Sequence, residues 1–386
     1  MSARQPLEFP AWPQYGDEER AGLHRALEQG QWWRMGGSEV ESFEREFAEY
    51  HGAGYALAVT NGTHALELAL EVLGVGPGTE VIVPAFTFIS SSQAAQRLGA
   101  VAVPVDVDLD TYCIDVAAAA AAVTSKTRAI MPVHMAGQFA DMDALGKLSA
   151  DSGVPLLQDA AHAHGAQWQG KKVGDLGSLA SFSFQNGKLM TAGEGGAVLF
   201  PDAESHEQAF LRHSCGRPRG DRTYRHRTSG SNFRMNEFSA SVLRAQLGRL
   251  GGQIDTREQR WPELAKLLAA IPGVVPQGTD DRADRNPHYM AMFRLPGVAE
   301  DRRNELVDEL IARGLPAFAG FRAIYRCDGF WEKGAPEEAA DAIARRCPRS
   351  ELLSAESIWL HHRTLLGTAE QMHTIAEIVA DVVAHA

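Results

Sequence analysis

Between about residue 50 and residue 200, short apolar runs alternate with stretches of helical spacing. ALAVT (56–60) is followed by THALELALEVLG, and VIVPAF (81–86) by a stretch ending in SSSQAAQRLG. VAVPVDVD (101–108) precedes an alanine run at 117–122, which reads as an exposed or half-buried helix. AIMPVHM (129–135), VPLLQDA (154–160), LASFSF (179–184) and GAVLF (196–200) complete the series. Such alternation predicts an α/β fold with a mostly parallel central sheet, in which ligands collect beyond the carboxyl ends of the strands. After about residue 250 the pattern changes to a helix over 253–273, a polar stretch, the extended run YMAMFRL and the helical DRRNELVDELIARGL. The expected division is a large domain over 1–250 and a smaller C-terminal α+β domain over 251–386.

Composition narrows the class of function. With 45% hydrophobic and 22% charged residues, the chain can bury a large core. Its 37 Lys and Arg against 49 Asp and Glu leave a net charge of −12, which gives no global attraction for nucleic acid or for an anionic membrane. Neither is expected as a partner. No apolar run approaches the ~20 residues of a membrane helix, and the opening MSARQPLEFPAWPQYGDEERAG lacks the basic-then-apolar pattern of a secretion signal. Cys113, Cys215, Cys327 and Cys347 form no CxxC pair, so no metal site is expected and a reducing, cytoplasmic setting fits best.

Four segments carry candidate chemistry. In SFSFQNGKLMTAGEGG (181–196), Lys188 follows a strand and precedes a glycine-rich turn. A lysine whose pKa is lowered presents a neutral amine able to form an imine, and the glycines let backbone pass close to a ligand; the competing reading is a surface lysine beside a turn. In LLQDAAH (156–162), Asp159 ends an apolar strand. A buried carboxylate there needs a partner, which a protonated pyridine nitrogen would supply; a helix cap is the alternative. His162 would stack on or flank such a ring, or be a packed core histidine. In VTNGTHAL (59–66), Gly62 and Thr63 sit between strand and helix, where N–H groups and a hydroxyl hold phosphate, although such residues also make ordinary turns. Ser183 is a further phosphate candidate. In PAFTF (84–88), Phe86 reads as a core residue and Phe88 as a ring that stacks on a flat cofactor.

Taken together and in this order, with GSNFRMNE (230–237) beyond them, these segments resemble the DegT/DnrJ/EryC1/StrS family of enzymes dependent on pyridoxal 5′-phosphate (PLP). The resemblance implies fold type I of the PLP-dependent transferases. It makes Lys188 the Schiff-base lysine and Asp159 the partner of the pyridine nitrogen. Phe88 takes the stacking position, with His162 on the other side of the ring. Gly62, Thr63 and Ser183 match phosphate-binding positions, and Asn232 matches an asparagine that reaches the phosphate from the neighbouring subunit. A homodimer with shared active sites follows. Family members that carry His at the lysine position are sugar dehydratases; Lys188 argues against that branch.

Long stretches such as PAFTFISSSQAAQRLGA and FSFQNGKLMTAGEGGAV further imply a branch that dehydrates and aromatises 5-amino-5-deoxy-3-dehydroshikimate to an aminohydroxybenzoate, the starter unit of ansamycin-type antibiotics. Sugar-aminating members usually carry His-Pro or a similar pair before the lysine, where this chain has Gln185-Asn186-Gly187. The alternative is amination of a nucleotide-linked keto-sugar, which requires an amino donor; a non-catalytic partner subunit is a third reading, opposed by the intact Lys188, Asp159 and Thr63. The substrate carboxylate calls for a cation. Arg219, set between Pro218 and Gly220, is the chosen candidate, with Arg34, His361, His362 and Arg363 as others.

Overall fold

The computed structural model describes residues 7–331 and 337–384; the first six residues of the opening segment read above lie outside it. Seven strands form the main sheet: β1 (Tyr55–Val59), β2 (Glu80–Pro84), β3 (Val101–Val105), β4 (Thr127–Ile130), β5 (Leu157–Asp159), β6 (Leu179–Ser183) and β7 (Gly196–Phe200). Their spatial order is β1-β7-β6-β5-β4-β2-β3, the bridges Ile130–Leu156 and Val133–Asp159 joining β5 to β4. The pairs β6/β5, β4/β2 and β2/β3 are parallel, while β7 runs antiparallel to both of its neighbours. The sheet is therefore mostly parallel, with one reversed strand.

Both faces of the sheet are covered, which explains the unbroken apolar runs. Ala56, Ala58, Ile82, Ile130, Ala180 and Phe182 belong to one core. Leu57, Val59, Val81, Val83, Ala129, Leu157, Leu179 and Val198 belong to the other, so successive residues along a strand alternate between layers. The first core is roofed by α1 (Asp17–Gln29), α2 (Glu39–His51) and part of a later long helix, and includes α2 residues Val40, Phe43 and Phe47 at helical spacing. The second is covered by α3 (Gly62–Val72), α4 (Ser90–Arg97) and α7 (Ala203–His213), while α5 (Val116–Ala122) and α6 (Met142–Ser152) add Ala119, Met142 and Leu145 to the first. The alanine run is α5: Ala119 is buried, while Ala117, Ala120 and Ala121 are exposed.

The long helix, α8 (Glu237–Ala269), differs from the helix expected over 253–273. Asn236 caps it, its side chain accepting from the Ser239 N–H at 2.9 Å. Pro262 lies inside it without ending it. Ala240, Leu243, Leu247, Leu250 and Ile254 pack into the large domain's core, and Trp261, Leu264 and Leu268 into the C-terminal core. One helix thus serves both bodies, and the division at residues 250/251 falls within it. Beyond α8, the strands β8 (Val275–Pro276), β9 (Met290–Arg294), β10 (Ala317–Ala319) and β11 (Ser357–His361) form an antiparallel sheet ordered β8-β9-β11-β10. Helices α9 (Glu300–Ala312) and α10 (Ala369–Val383) contribute Leu306, Leu310, Met372, Ile375 and Val379 to its core.

Candidate active site

A cavity of about 390 Å³ opens where the carboxyl ends of β1, β2, β5 and β6 meet the C-terminal sheet, and it gathers Gly62, Thr63, Phe88, Asp159, His162, Ser183 and Lys188. Seven of the sequence candidates thus share one space.

Lys188 sits on the turn after β6. Its N–H donates to the Gln185 carbonyl at 2.8 Å, and the Gly187 N–H donates to Gln185 Oε1 at 2.8 Å. Thr191 Oγ1 donates to the Phe184 carbonyl at 2.9 Å, and Gly193 has φ +83°, a conformation that favours glycine, so the turn folds back into β7. The Lys188 amine lies 4.5 Å from the centroid of the Tyr289 ring. Burial pushes its pKa down to about 8, with the Asp159 charge opposing the shift.

Asp159 ends β5 and caps no helix. Its carboxylate accepts from Ser91 Oγ at 3.0 Å and from the Ala161 N–H at 3.2 Å. Burial holds its carboxyl above the usual range, and those two donors with the Lys188 charge pull the other way. His162 accepts the Ala136 N–H at Nδ1 (3.4 Å) and stacks on Tyr289 with centroids 4.3 Å apart at 25°. Burial, then the Lys188 charge, lowers its pKa well below the ordinary histidine range, so it presents a neutral ring.

At the other end of the cavity, Asn61 caps α3 by accepting from the His64 N–H at 2.8 Å. The N–H groups of Gly62 and Thr63 have no acceptor within the helix. A Cβ on Gly62 would lie 2.7 Å from Ser183 Cβ, which is why only glycine fits there. Thr63 Oγ1 donates to Ser90 Oγ at 3.0 Å, at the start of α4. Phe86 is fully buried, whereas Phe88 is 57% exposed, with a face free for a ligand.

Asn232 and Arg219 lie elsewhere, and Arg34, His361, His362 and Arg363 do not line the cavity either. Asn232 is exposed, its Oδ1 accepting the Arg234 N–H at 3.3 Å, and it does not line the cavity. Arg219, chosen above for the substrate carboxylate, does not face the cavity of its own chain. Its guanidinium carbon sits 3.7 Å from the Phe210 centroid, its Nε pairs with Glu207 at 3.5 Å, and it lines a separate hollow with Arg34 and Glu44. The Pro-Arg-Gly loop is shaped, but toward α7. Among the described residues Lys188 is the only Lys or Arg lining the cavity. Sequence reasoning missed Ser90, Ser91, Gln185, Glu194, Tyr289, Phe321 and Trp359, all lining residues. The runs SSSQ and YMAMFRL read as helix and strand, and nothing in them marks which positions face a ligand.

These groups fit PLP. A buried carboxylate with two fixed donors suits a pyridinium nitrogen, the α3 N-terminus with three hydroxyls suits a phosphate, and a buried amine of lowered pKa suits an aldehyde. No group of metal-ligating side chains occurs among the described residues.

Fold and site define a PLP-dependent enzyme of the aminotransferase architecture. The sequence profile of the DegT/DnrJ/EryC1/StrS aminotransferase family matches residues 14–379, and the chain belongs to that family. It is 72% identical to a 3-amino-5-hydroxybenzoate synthase of Amycolatopsis mediterranei (strain S699), over 100% of both chains. A crystal structure of 3-amino-5-hydroxybenzoic acid synthase, 72% identical, superposes with a TM-score of 0.97 over 99% of this chain and 100% of that one. An L-glutamine:2-deoxy-scyllo-inosose aminotransferase of Streptomyces paromomycinus is 35% identical over 98% of this chain and 95% of its own.

Proposed function

We propose that this enzyme is a lyase that removes water from 5-amino-5-deoxy-3-dehydroshikimate and aromatises it to 3-amino-5-hydroxybenzoate. The reading rests on one observation above all: the buried Lys188 amine shares a cavity with the Asp159 carboxylate and the Gly62–Thr63–Ser183 cradle, in a chain 72% identical to a 3-amino-5-hydroxybenzoate synthase. Within it, Lys188 is the cofactor lysine. Asp159 holds the pyridine nitrogen, Phe88 and His162 flank the ring, and Gly62, Thr63 and Ser183 bind the phosphate.

When bound, PLP supplies an electron sink for the pair released as a C–H bond at the amine-bearing carbon breaks. The chain's residues do the rest. Asp159, kept as a carboxylate by Ser91 and the Ala161 N–H, holds a proton at the ring nitrogen. Lys188, with its pKa near 8, takes the proton from the amine-bearing carbon and delivers it to the neighbouring hydroxyl as that leaves as water. Loss of one water and enolisation of the ring ketone then give the aromatic product, with the substrate's nitrogen retained and no second amino acid consumed. Tyr289, Phe321 and Trp359 wall the cavity with rings and suit a flat product better than a polar nucleotide-sugar.

We assign the working unit as a homodimer. Asn232 is exposed at the surface of one chain, as a residue serving a neighbour's phosphate must be, and the exposed Trp32 and Trp33 offer apolar area for the contact. No described helix is long and apolar enough to cross a membrane, and we place the enzyme in the cytoplasm.

The test is turnover of the aminoshikimate substrate by the PLP-loaded enzyme and by Lys188→Ala. The native enzyme forms the aromatic acid and the variant forms none; turnover by the variant would overturn the assignment.

A further inference from the structure

Arg257, on α8, is completely buried, yet no carboxylate among the described residues lies in ion-pair range of it. Its Nε and Nη1 have no hydrogen-bond partner there either. An unpaired buried guanidinium is costly, and burial lowers its pKa only to about 9, so it stays protonated at neutral pH. Among the described residues its one hydrogen bond is from Nη2 to His362 Nδ1 at 3.2 Å. A guanidinium only donates, so His362 Nδ1 must accept and the imidazole proton must sit on Nε2. That Nε2 lies 3.1 Å from the carbonyl oxygen of Gly187, the residue before Lys188, and donates to it. Trp12 packs edge-on against His362 with centroids 4.4 Å apart, and its Nε1 donates to the Asn186 carbonyl at 3.0 Å.

We propose that Arg257 and His362 are positioning residues for Lys188: the guanidinium fixes the His362 tautomer, and His362 in turn clamps the turn that carries the lysine. The relay joins α8, which threads both domains, to the backbone beside Lys188. Neither residue lines the cavity, so each acts through the backbone beside Lys188. The functional meaning of the clamp rests on the reading of Lys188 as the cofactor lysine; the clamp itself does not.

Hydrogen exchange at the amides of Gly187 and Lys188, both bonded back to Gln185, reports opening of the turn. It is followed in the full-length protein with and without PLP, for the native chain, His362→Phe and His362→Gln. Phe keeps the ring's bulk and its packing on Trp12 but neither accepts nor donates; Gln offers an acceptor and a donor at about the imidazole spacing. Loss of one hydrogen bond is expected to speed exchange at these two amides about three- to tenfold in His362→Phe, with amides of β5 and β6 unchanged and with near-native exchange restored in His362→Gln. Native exchange in His362→Phe, or equal acceleration in both variants, would overturn the proposal, since ring packing or general loosening would then account for the contact. Borohydride reduction of the PLP-loaded proteins, followed by peptide mapping, reports separately whether Lys188 bears the cofactor, so failure of that assignment is distinguishable from failure of the clamp.

Discussion

Replacing Ser91 by Ala isolates one contact on which the electronics of the site depend. The Ser91 hydroxyl is buried and donates to Asp159 Oδ2 at 3.0 Å; only the Ala161 N–H at 3.2 Å remains once it is gone. A hydrogen bond to a charged group contributes about 1.5–3 kcal/mol. Its loss should push the Asp159 carboxyl further above the usual carboxylate range, the direction in which burial already drives it. A carboxylate that protonates more readily holds a pyridinium less well. PLP affinity should therefore fall about tenfold or more at neutral pH, and the acid limb of the affinity–pH profile should move to higher pH. Fluorescence titration with PLP across pH, beside circular dichroism to show an intact fold, reads both. The void left is one hydroxyl, and Thr87, 3.3 Å from Ser91, stays in place. An unchanged affinity and acid limb in a folded variant would refute the claim that Ser91 holds Asp159 in its charged form.

Three further outcomes follow from the geometry. Gly62→Ala puts a methyl 2.7 Å from Ser183 Cβ, inside the phosphate cradle, and should weaken binding of PLP and of inorganic phosphate together by at least about tenfold; calorimetry with each ligand checks it. The free Lys188 amine, with its pKa near 8, should make the rate of PLP capture by the apo-protein climb with pH up to about 8 and level off above it, as stopped-flow absorbance would record. Acid should unfold the protein early: burial lowers His51 and His288 to about 3 and His134 to about 4, so the unfolded chain takes up protons first as pH falls below the ordinary histidine value. Stability is lost through that window, about 2 kcal/mol per histidine at around pH 5, measurable as a falling denaturation midpoint.

Much of the fold is legible in the sequence because the sheet is covered on both sides. Every strand of the main sheet announces itself as a short apolar run, and GAVLF coincides with β7. Its direction is not legible: an apolar run carries no sign of which way it crosses the sheet, and β7 reverses because the Lys188 turn returns the chain along β6. The start of α8 lies upstream of the expected one because Gly248, Gly251 and Gly252 inside it read as a break, while the Pro272-Gly273 stop is conspicuous. The cavity's own chemistry reads well where a special residue ends a strand, as Asp159 and Ser183 do. Ser91 and Tyr289 carry no such mark. Each becomes significant only through a contact across the fold, 68 residues away for Ser91 and Asp159. Arg219 shows the converse, since a loop composition suited to an anion is spent on Phe210 and Glu207.

The most direct measurement follows the substrate's nitrogen. 5-Amino-5-deoxy-3-dehydroshikimate labelled with heavy nitrogen is incubated with the PLP-loaded enzyme and an excess of unlabelled glutamine, and the aromatic product is weighed by mass spectrometry. Full retention of the label, with the loss of one water and no glutamine consumed, is the result a lyase gives. Unlabelled product, formed with consumption of glutamine, would contradict the account and make the enzyme an aminotransferase.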